Sequence, residues 1–212
     1  MKKIFFSVII VSLNSKRDFL KTLKSILNQK YKNFEIIVVD GMSSDGTLDL
    51  VKKYKNKISK IIIEKDAGIY YAMNKGIKVS DSIWTIFMNC GDVFYNNNIL
   101  KIFNEKNYIN NDIVFGNTII SNKSYKIFIR GKYFNKKTVL MPFCHQSSFV
   151  KTKFLKKMKF NIRYKLSADF YLFLNAYNMK KKFLYYDQKI SVVKPGGISD
   201  ILRHNVINEN MS

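Results

Sequence analysis

The amino-acid sequence predicts an α/β fold in which a doubly wound, mainly parallel central sheet carries helices on both faces and a small antiparallel addition. The first observation is that apolar runs alternate with segments of helical periodicity up to about residue 110. The second is that two neighbouring strand-like segments follow, which favours an antiparallel pair. With 47 % apolar and 15 % aromatic residues, the chain can form a substantial core.

The first half contains four predicted strands, each followed by a polar turn. Residues 4–13 are an uninterrupted apolar run, as expected for a strand that is covered on both faces of its sheet. Asn14 or Ser15 can cap the next segment, where apolar residues recur at helical spacing. Further strands are predicted at 34–40, 60–66 and 84–89, and the helices between them begin near "SSDGT" and near Ile69.

The second half has a different order of elements. It is predicted to contain two antiparallel strands, a basic helix, a second helix and two closing strands, at 112–120, 124–134, 151–159, 167–177, 182–187 and 189–194. No repeat and no linker rich in proline, glycine or serine interrupts the chain. We therefore expect residues 1–212 to form a single domain.

The net charge of +22 predicts attraction to a polyanion, either nucleic acid, an anionic membrane surface or a phosphorylated substrate. A compositional bias toward lysine, spread over solvated faces, explains the charge equally well. Two cysteines, Cys90 and Cys144, without a CxxC pair or clustered histidines, fit neither a disulfide framework nor a structural zinc site. They are compatible with a cytoplasmic location.

The amino terminus has the charged and apolar regions of a signal peptide, but no small-x-small cleavage site follows them. We interpret it as a buried first strand. No segment reaches the roughly 18 to 20 apolar residues of a membrane-spanning helix.

One polar side chain follows each of the first four predicted strands. These residues are Asn14, Asp40, Asp66 and Asp92. Any one of them is readily explained as a turn or cap residue. Because the carboxyl ends of parallel strands share one edge of a sheet, where such folds bind ligands, four in register favour a binding site.

Six segments of the chain follow one another in a recognisable order: "SVIIVSLN", "SILNQKYKNFEIIVVDGMSSDGT", "EKDAGIYYAMNKGI", "FMNCGDVF", "HQSSF" and "SADFYLFL". This combination resembles family 2 glycosyltransferases of the GT-A fold, and above all small bacterial members that build O-antigen, capsule and other surface polysaccharides. The resemblance covers roughly residues 5 to 200.

The resemblance implies inverting transfer of a sugar from a nucleotide-diphosphate sugar to a hydroxyl of a glycan or lipid-linked acceptor. It divides the chain into a nucleotide-sugar-binding half, 1–110, and an acceptor and catalytic-base half, 111–212. The residues that it places near the nucleotide sugar are Ser12, Asn14, Asp40, Asp66 and Asn89, and Asn74 can reach the sugar or phosphates.

Asp92 ends the segment in which relatives of this family carry a metal-binding Asp-x-Asp motif. This chain has Asn89, Gly91 and Asp92 there, which leaves one carboxylate and one amide. Mg²⁺ is commonly held by one or two carboxylates together with substrate phosphates and water. The resemblance therefore implies a Mg²⁺ or Mn²⁺ cofactor at Asp92 that binds weakly without the donor.

Asp169 matches the acid that serves as catalytic base in the family. The chemistry requires one such carboxylate, because a sugar hydroxyl is a poor nucleophile until its proton is accepted. An acid at this position is also favourable to the helix dipole without any catalytic role. His145 and Gln146 are expected near the acceptor or the diphosphate, and His204 on a tail that can close over it.

Two alternatives remain open from the sequence. One is a non-catalytic basic nucleic-acid-binding protein, although the aromatic residues lie within apolar segments and form no known RNA motif, so no nucleic acid is expected. The other is a GT-A pseudo-enzyme, suggested by the reduced metal motif. For the basic helix at 151–159 we expect ordinary packing, with docking on the anionic inner face of the plasma membrane as the second interpretation.

Overall fold

The computed structural model describes residues 3–106, 108–197, 205–206 and 209. The strands are β1 (Phe6–Ser12), β2 (Phe34–Asp40), β3 (Lys60–Ile63), β4 (Trp84–Phe87), β5 (Val93–Phe94), β6 (Ile113–Ser121), β7 (Lys126–Ile129), β8 (Ser148–Lys151) and β9 (Phe183–Val193). The helices are α1 (Lys16–Leu27), α2 (Thr47–Lys53), α3 (Ile69–Val79), α4 (Ile99–Glu105), α5 (Thr152–Met158) and α6 (Ala168–Asn178). All these strands lie in one sheet, in the order β3-β2-β1-β4-β8-β6-β9-β5, and β7 pairs with β6.

The first four strands form the parallel part of the sheet, as predicted. Their order is β3-β2-β1-β4, so β1 lies between β2 and β4 in the interior of the sheet. Alternate residues of β1 enter two cores on opposite faces: Ile9 packs in the core that contains Met73 of α3, whereas Val8 packs in the core that contains Phe19 of α1. This two-sided burial explains the uninterrupted apolar run.

The antiparallel addition begins at β8, which is antiparallel to both β4 and β6. As a result β6 runs parallel to β4, and the carboxyl ends of both strands lie at the same edge of the sheet. The predicted strands at 182–187 and 189–194 are one strand, β9, whose register against β6 shifts on either side of Asn117. Gly116 is required beside this irregularity, because a Cβ there would lie 2.7 Å from the Gln188 carbonyl oxygen.

The basic helix is α5, and its apolar side is not exposed. Phe154 and Leu155 are buried in the core against α3 and α6, so that mainly lysines remain on the outside. This arrangement supports the packing interpretation and leaves the helix no apolar face for a membrane. Within the described ranges, no helix is both long and apolar enough to cross a bilayer.

Candidate active site

The polar residues that follow the parallel strands do meet at one edge. Since β3, β2, β1 and β4 are parallel, Asp66, Asp40, Asn14 and Asp92 all follow carboxyl ends on the same side of the sheet. Each of these residues has a different set of partners. The differences indicate what each can contribute.

Asp40 is fully buried at the end of β2. Its Oδ2 accepts hydrogen bonds from Ser12 Oγ (2.5 Å) and Ser43 Oγ (2.8 Å), and its Oδ1 accepts one from the Ser43 backbone N–H (2.7 Å). Asn14, in the left-handed region at φ 47°, accepts the Ser44 backbone N–H at 2.8 Å. The carboxylate and the amide therefore fix the loop after β2 at the edge where a nucleoside is expected.

Asp66, which follows β3, forms an ion pair with Lys75. The Lys75 ammonium lies 2.7 Å from Asp66 Oδ1 and 2.8 Å from Glu64 Oε2. The carboxylates raise the pKa of Lys75, although burial opposes them, so the ammonium stays charged. Asp66 Oδ2 is buried and accepts no hydrogen bond from the part of the chain that the structure describes. This acceptor suits a hydroxyl donor such as a ribose.

Asn74 has a structural role that its position in the sequence does not reveal. Its Nδ2 donates to the Phe160 carbonyl oxygen at 2.8 Å, and its Oδ1 accepts the Phe160 backbone N–H at 2.8 Å. Both ends of the amide are thus used to join α3 to the segment after α5. To reach a sugar, Asn74 would have to break two hydrogen bonds, so its assignment to the donor stays a prediction.

Asp92 lies in a tight turn after β4. Gly91 adopts φ 102°, and Thr22 Oγ1 accepts its N–H while donating to the Asp92 carbonyl oxygen. Asp92 is only 4 % exposed, and its carboxylate accepts hydrogen bonds from Gln146 Nε2 and the Lys194 backbone N–H, both at 3.0 Å. Burial raises the pKa of Asp92 to about 6, against the effect of these two donors. A nearby positive charge would stabilise the ionised form.

Asn89 supplies a second oxygen near this turn. Its Oδ1 is buried and accepts no hydrogen bond within the described residues, whereas its Nδ2 lies 3.3 Å from His145 Nε2. No group of three His, Cys, Asp or Glu side chains in those ranges is placed to hold a metal ion. Asp92 and the orphaned Asn89 oxygen still fit a hard cation whose other ligands come from a diphosphate and water.

Asp169, in the first turn of α6, is held by three donors. Oδ1 accepts hydrogen bonds from the Tyr70 hydroxyl and the Phe170 backbone N–H, and Oδ2 contacts His145 Nδ1, each at 2.9 Å. Burial would raise the pKa of Asp169, but the hydrogen bonds from His145, Tyr70 and the Phe170 backbone N–H outweigh it and hold this pKa below its ordinary value. Burial and the carboxylate raise the pKa of Tyr70 well above its usual range, so Tyr70 stays a donor.

The dipeptide His145–Gln146 connects the two acids. It lies in a single 3₁₀ turn, His145–Ser147, in which His145 contacts Asp169 and Gln146 contacts Asp92. The turn is anchored through Ser147. Its buried hydroxyl accepts a hydrogen bond from Thr118 Oγ1 at 2.7 Å and donates one to the Asn117 carbonyl oxygen at 3.1 Å. The turn therefore joins the acid of the first half to the acid of the second.

His204 lies outside the described residues, so its position over the diphosphate stays a prediction.

Sequence reasoning missed several residues that build the site. Tyr70 follows the apolar spacing of α3 and was assigned to packing, and nothing in the sequence separates Thr22 from an ordinary helix position. A carboxylate at Glu209 accepts the Lys165, Leu166 and Ser167 backbone N–H groups and so caps the start of α6.

Comparison with known proteins places the chain in a family. The family model described as Glycosyl transferase family 2 matches residues 7–180. A PGL/p-HBAD biosynthesis glycosyltransferase of Mycobacterium tuberculosis is 28 % identical over 175 residues, which are 77 % of this chain and 66 % of the relative. The Staphylococcus aureus poly(ribitol-phosphate) beta-N-acetylglucosaminyltransferase TarP is 28 % identical over 132 residues, 60 % of this chain and 40 % of TarP. The chain thus spans slightly less than two thirds of the mycobacterial relative.

Solved structures show the same fold. S. aureus TarS (residues 1–349) in complex with UDP superposes with a TM-score of 0.68 at 21 % identity, covering 98 % of this chain and 65 % of TarS 1–349. The mannosyltransferase PcManGT from Pyrobaculum calidifontis, in complex with GDP-Man and Mn²⁺, gives a TM-score of 0.70 at 14 % identity, covering 91 % of this chain and 57 % of PcManGT. These similarities confirm the predicted GT-A fold. Together with the match over residues 7–180, they lead to one conclusion: the chain belongs to glycosyl transferase family 2.

Proposed function

We propose that this chain is an inverting glycosyltransferase that moves a sugar from a nucleotide-diphosphate sugar to a hydroxyl of a glycan or lipid-linked acceptor during synthesis of a bacterial surface polysaccharide, such as O-antigen or capsule. The observation that carries the proposal is the His145–Gln146 turn, which contacts both Asp169 and Asp92. A base for the acceptor hydroxyl and a ligand for the cation that offsets the charge of the leaving diphosphate must lie on opposite sides of one reacting carbon. The turn contacts both acids that we propose for these roles.

Asp169 is the proposed catalytic base. Its Oδ2 has only His145 as a protein partner among the described residues, and a carboxylate oxygen accepts two hydrogen bonds, so one position is open to an acceptor hydroxyl. The side chain is 16 % exposed, which allows such a hydroxyl to approach. As the acceptor oxygen bonds to the anomeric carbon, its proton passes to Asp169 and the bond from that carbon to the diphosphate breaks on the opposite face.

His145 is the proposed positioning residue for this base. If Asn89 Nδ2 donates to His145 Nε2, the ring proton lies on Nδ1 and is donated to Asp169 Oδ2. Asp169 then remains fully ionised with its free lone pair directed by a fixed hydrogen bond, while Tyr70 and the Phe170 backbone N–H hold the other oxygen.

Asp92 and Asn89 are the proposed protein ligands of a Mg²⁺ or Mn²⁺ ion. When bound there, such a cation offsets the negative charge that grows on the leaving nucleoside diphosphate. PcManGT was solved with Mn²⁺, which supports a divalent metal in this fold. Asp92 would contribute the charge, and Asn89 Oδ1 would gain the partner that it lacks among the described residues.

Ser12, Asn14, Asp40 and Asp66 are proposed to face the nucleoside. The first three build the loop at the ends of β1 and β2, and Asp66 Oδ2 is a buried acceptor that receives no hydrogen bond from the described residues. TarS was solved with UDP and UDP-GlcNAc, and PcManGT with GDP-Man. UDP-sugars and GDP-sugars are therefore the donors to test first.

A thermal-shift screen of nucleotide sugars, with and without Mn²⁺, tests this proposal. A ligand that binds the folded state raises its stability in proportion to ln(1 + [L]/Kd). We expect one nucleotide class to raise the melting temperature, and more so with Mn²⁺. For that nucleotide, Asp40→Ala should weaken binding by about 1 to 3 kcal/mol, because buried polar groups are left unpaired. The exposed Asp49→Ala on α2 is the matched control and should bind normally.

Two other outcomes would replace the proposal. A pseudo-enzyme would bind the nucleotide but show no donor hydrolysis and no transfer with Mn²⁺ present. A nucleic-acid-binding protein would ignore all nucleotide sugars and bind oligonucleotides with an affinity that falls steeply as salt rises.

A further inference from the structure

A long segment of the chain contains no acid at all. Between Asp112 and Asp169 there are thirteen lysines and arginines and no aspartate or glutamate. This segment starts with β6 and ends at the first turn of α6. More than half of the net charge of +22 is thus concentrated in about a quarter of the sequence. A uniform compositional bias does not produce such an arrangement.

Within this segment, one surface combines the charge with exposed apolar side chains. We call residues 121–137, which include β7 and its flanking loops, the basic hairpin. Its large exposed side chains are 44 to 53 % accessible, and they are Tyr125, Ile127, Phe128 and Tyr133. The same segment carries six exposed cations, Lys123, Lys126, Arg130, Lys132, Lys136 and Lys137. In α5, by contrast, the apolar residues Phe154 and Leu155 are buried.

The neighbouring strand adds little negative charge to this surface. Lys189 of β9 lies 5.9 Å from the centre of the Phe128 ring, and Arg130 lies 5.6 Å from that of Tyr185. The acid nearby in β9 is Asp187, whose Oδ1 already accepts hydrogen bonds from Asn117 and Tyr185. The basic hairpin therefore presents cations beside aliphatic and aromatic groups.

The combination favours a lipid surface over the other partners of a basic edge strand. A second copy of this chain would have to pair with β7 past Lys126 and the adjacent Arg130, and lysines on edge strands oppose such pairing. A polyanion such as nucleic acid needs the cations and can stack on rings, but it gains nothing from an exposed isoleucine. An anionic bilayer uses both kinds of group, because apolar side chains enter the interface while lysines meet the headgroups.

The basic hairpin also lies on the side of the candidate active site. Because β6 is parallel to β4, its carboxyl end leads into the hairpin from the same edge of the sheet. Thr118 of β6 pairs with Ile129 of β7 and hydrogen-bonds Ser147, the residue after Gln146. The strand β6 thus connects the hairpin to the His145–Ser147 turn, whose residues contact Asp92 and Asp169.

We propose that the basic hairpin docks this chain on an anionic lipid bilayer by the free edge of β7, so that Ile127 and Phe128, on opposite faces of this strand, both enter the interface and the cations of the hairpin meet the headgroups. Docking itself requires no catalysis. Its consequence, that Asp169 receives the hydroxyl of a lipid-linked acceptor held in the same membrane, rests on the proposed function.

The test is co-sedimentation with vesicles of phosphatidylglycerol and phosphatidylcholine, compared with phosphatidylcholine alone. We expect binding to the anionic vesicles that weakens as salt rises, since charges are screened over about 10 Å at 0.1 M. The double variant Ile127→Ser/Phe128→Ser should reduce the partition coefficient about tenfold. Its matched control, Ile61→Ser/Ile63→Ser, changes the exposed isoleucines of the opposite edge strand, β3, and should bind within about twofold of wild type.

A second pair of variants changes the charge of the surface instead of its apolar side chains. Lys123→Glu/Lys126→Glu should also lose about tenfold, whereas Lys52→Glu/Lys53→Glu, with the same change in net charge on α2, should lose much less. Equal loss in both pairs would show attraction by net charge alone and overturn the proposal. So would equal binding to neutral vesicles, or binding of a single-stranded oligonucleotide to the hairpin with no vesicle binding. Transfer to a soluble acceptor, assayed without vesicles, tests the proposed function separately.

Discussion

The acids of the two halves of the chain reach the candidate site in different ways. In the first half, Asp40, Asp66 and Asp92 each follow a parallel strand, so their shared edge follows from the topology of the sheet. In the second half, Asp169 starts a helix and acquires its environment from Tyr70 and His145, which come from two distant segments. The first arrangement depends on the repeated β-α pattern and the second on tertiary packing. Only the first is visible in the sequence.

The two halves also set the charge of an acid differently. Asp92 and Asp169 are both largely buried, yet their pKa values move in opposite directions. Burial dominates at Asp92 and raises its pKa to about 6, because only two neutral donors contact it. At Asp169 three donors, one of them a histidine, outweigh burial and lower the pKa. An acid that stays ionised suits a base, and an acid that needs a positive partner suits a metal ligand.

The largest expected effect is at Asp169. Asp169→Asn should reduce turnover by about 10²-fold or more while leaving donor binding nearly unchanged, because only the proton acceptor is lost. Steady-state kinetics and nucleotide titration measure the two quantities. Asp49→Asn, an exposed acid of α2, is the control for the loss of one negative charge. Turnover of Asp169→Asn within a few-fold of wild type would refute the role of Asp169 as base.

The pH dependence of stability sharpens this prediction. The lowered pKa of Asp169 means that the native state favours its ionised form. The resulting stabilisation is present above the unfolded pKa of about 3.9 and is lost as the pH falls through the lower native value. Asp169→Asn should therefore lower the free energy of unfolding at neutral pH and have less effect in strong acid. Denaturant melts at several pH values measure this difference.

The second effect is at Asp92 and concerns binding. In wild type, Mn²⁺ and the donor nucleotide should each tighten the other's binding by the same factor, on the order of tenfold, because coupling between two sites is reciprocal. Asp92→Asn should largely abolish this coupling. Asn89→Ala should reduce it less, because an amide contributes no charge. Calorimetric titration of nucleotide with and without Mn²⁺ measures this coupling. If Mn²⁺ does not change nucleotide binding in wild type, Asp92 is only a structural residue of the turn.

The contrast between acids placed by the repeated β-α pattern and an acid placed by tertiary packing explains which features the sequence could predict. The apolar runs predicted β1 to β4, and the polar residues after them predicted that Asn14, Asp40, Asp66 and Asp92 share one edge of the sheet. The strands β5 and β8 are two and four residues long, too short to show a period. The pairing of His145 with Asp169 depends on the fold of the intervening chain, and Tyr70 has the spacing of a packing residue. Hydroxyl groups that point from a helix into a site leave no periodic signal.

The smallest effect is at Tyr70, and it tests whether the contacts around Asp169 matter for catalysis. Tyr70→Phe removes one donor to Asp169 Oδ1 and keeps the ring that packs against Phe160. Losing a hydrogen bond to the charged form raises the pKa of a carboxylic acid, so the acid limb of the pH-rate profile should move to higher pH. Turnover at neutral pH should fall only by about three- to tenfold, with donor KM unchanged.

The neighbouring Tyr71 provides the control for this change. Tyr71 is exposed on the same helix and is not among the described residues that hydrogen-bond Asp169, so Tyr71→Phe should leave both the rate and the profile unaltered. A purely structural role of Tyr70 would lower the amount of active protein without moving the acid limb. If the limb stays in place in Tyr70→Phe, the hydroxyl does not tune Asp169. The low pKa of the base would then depend on His145 and the Phe170 backbone N–H alone.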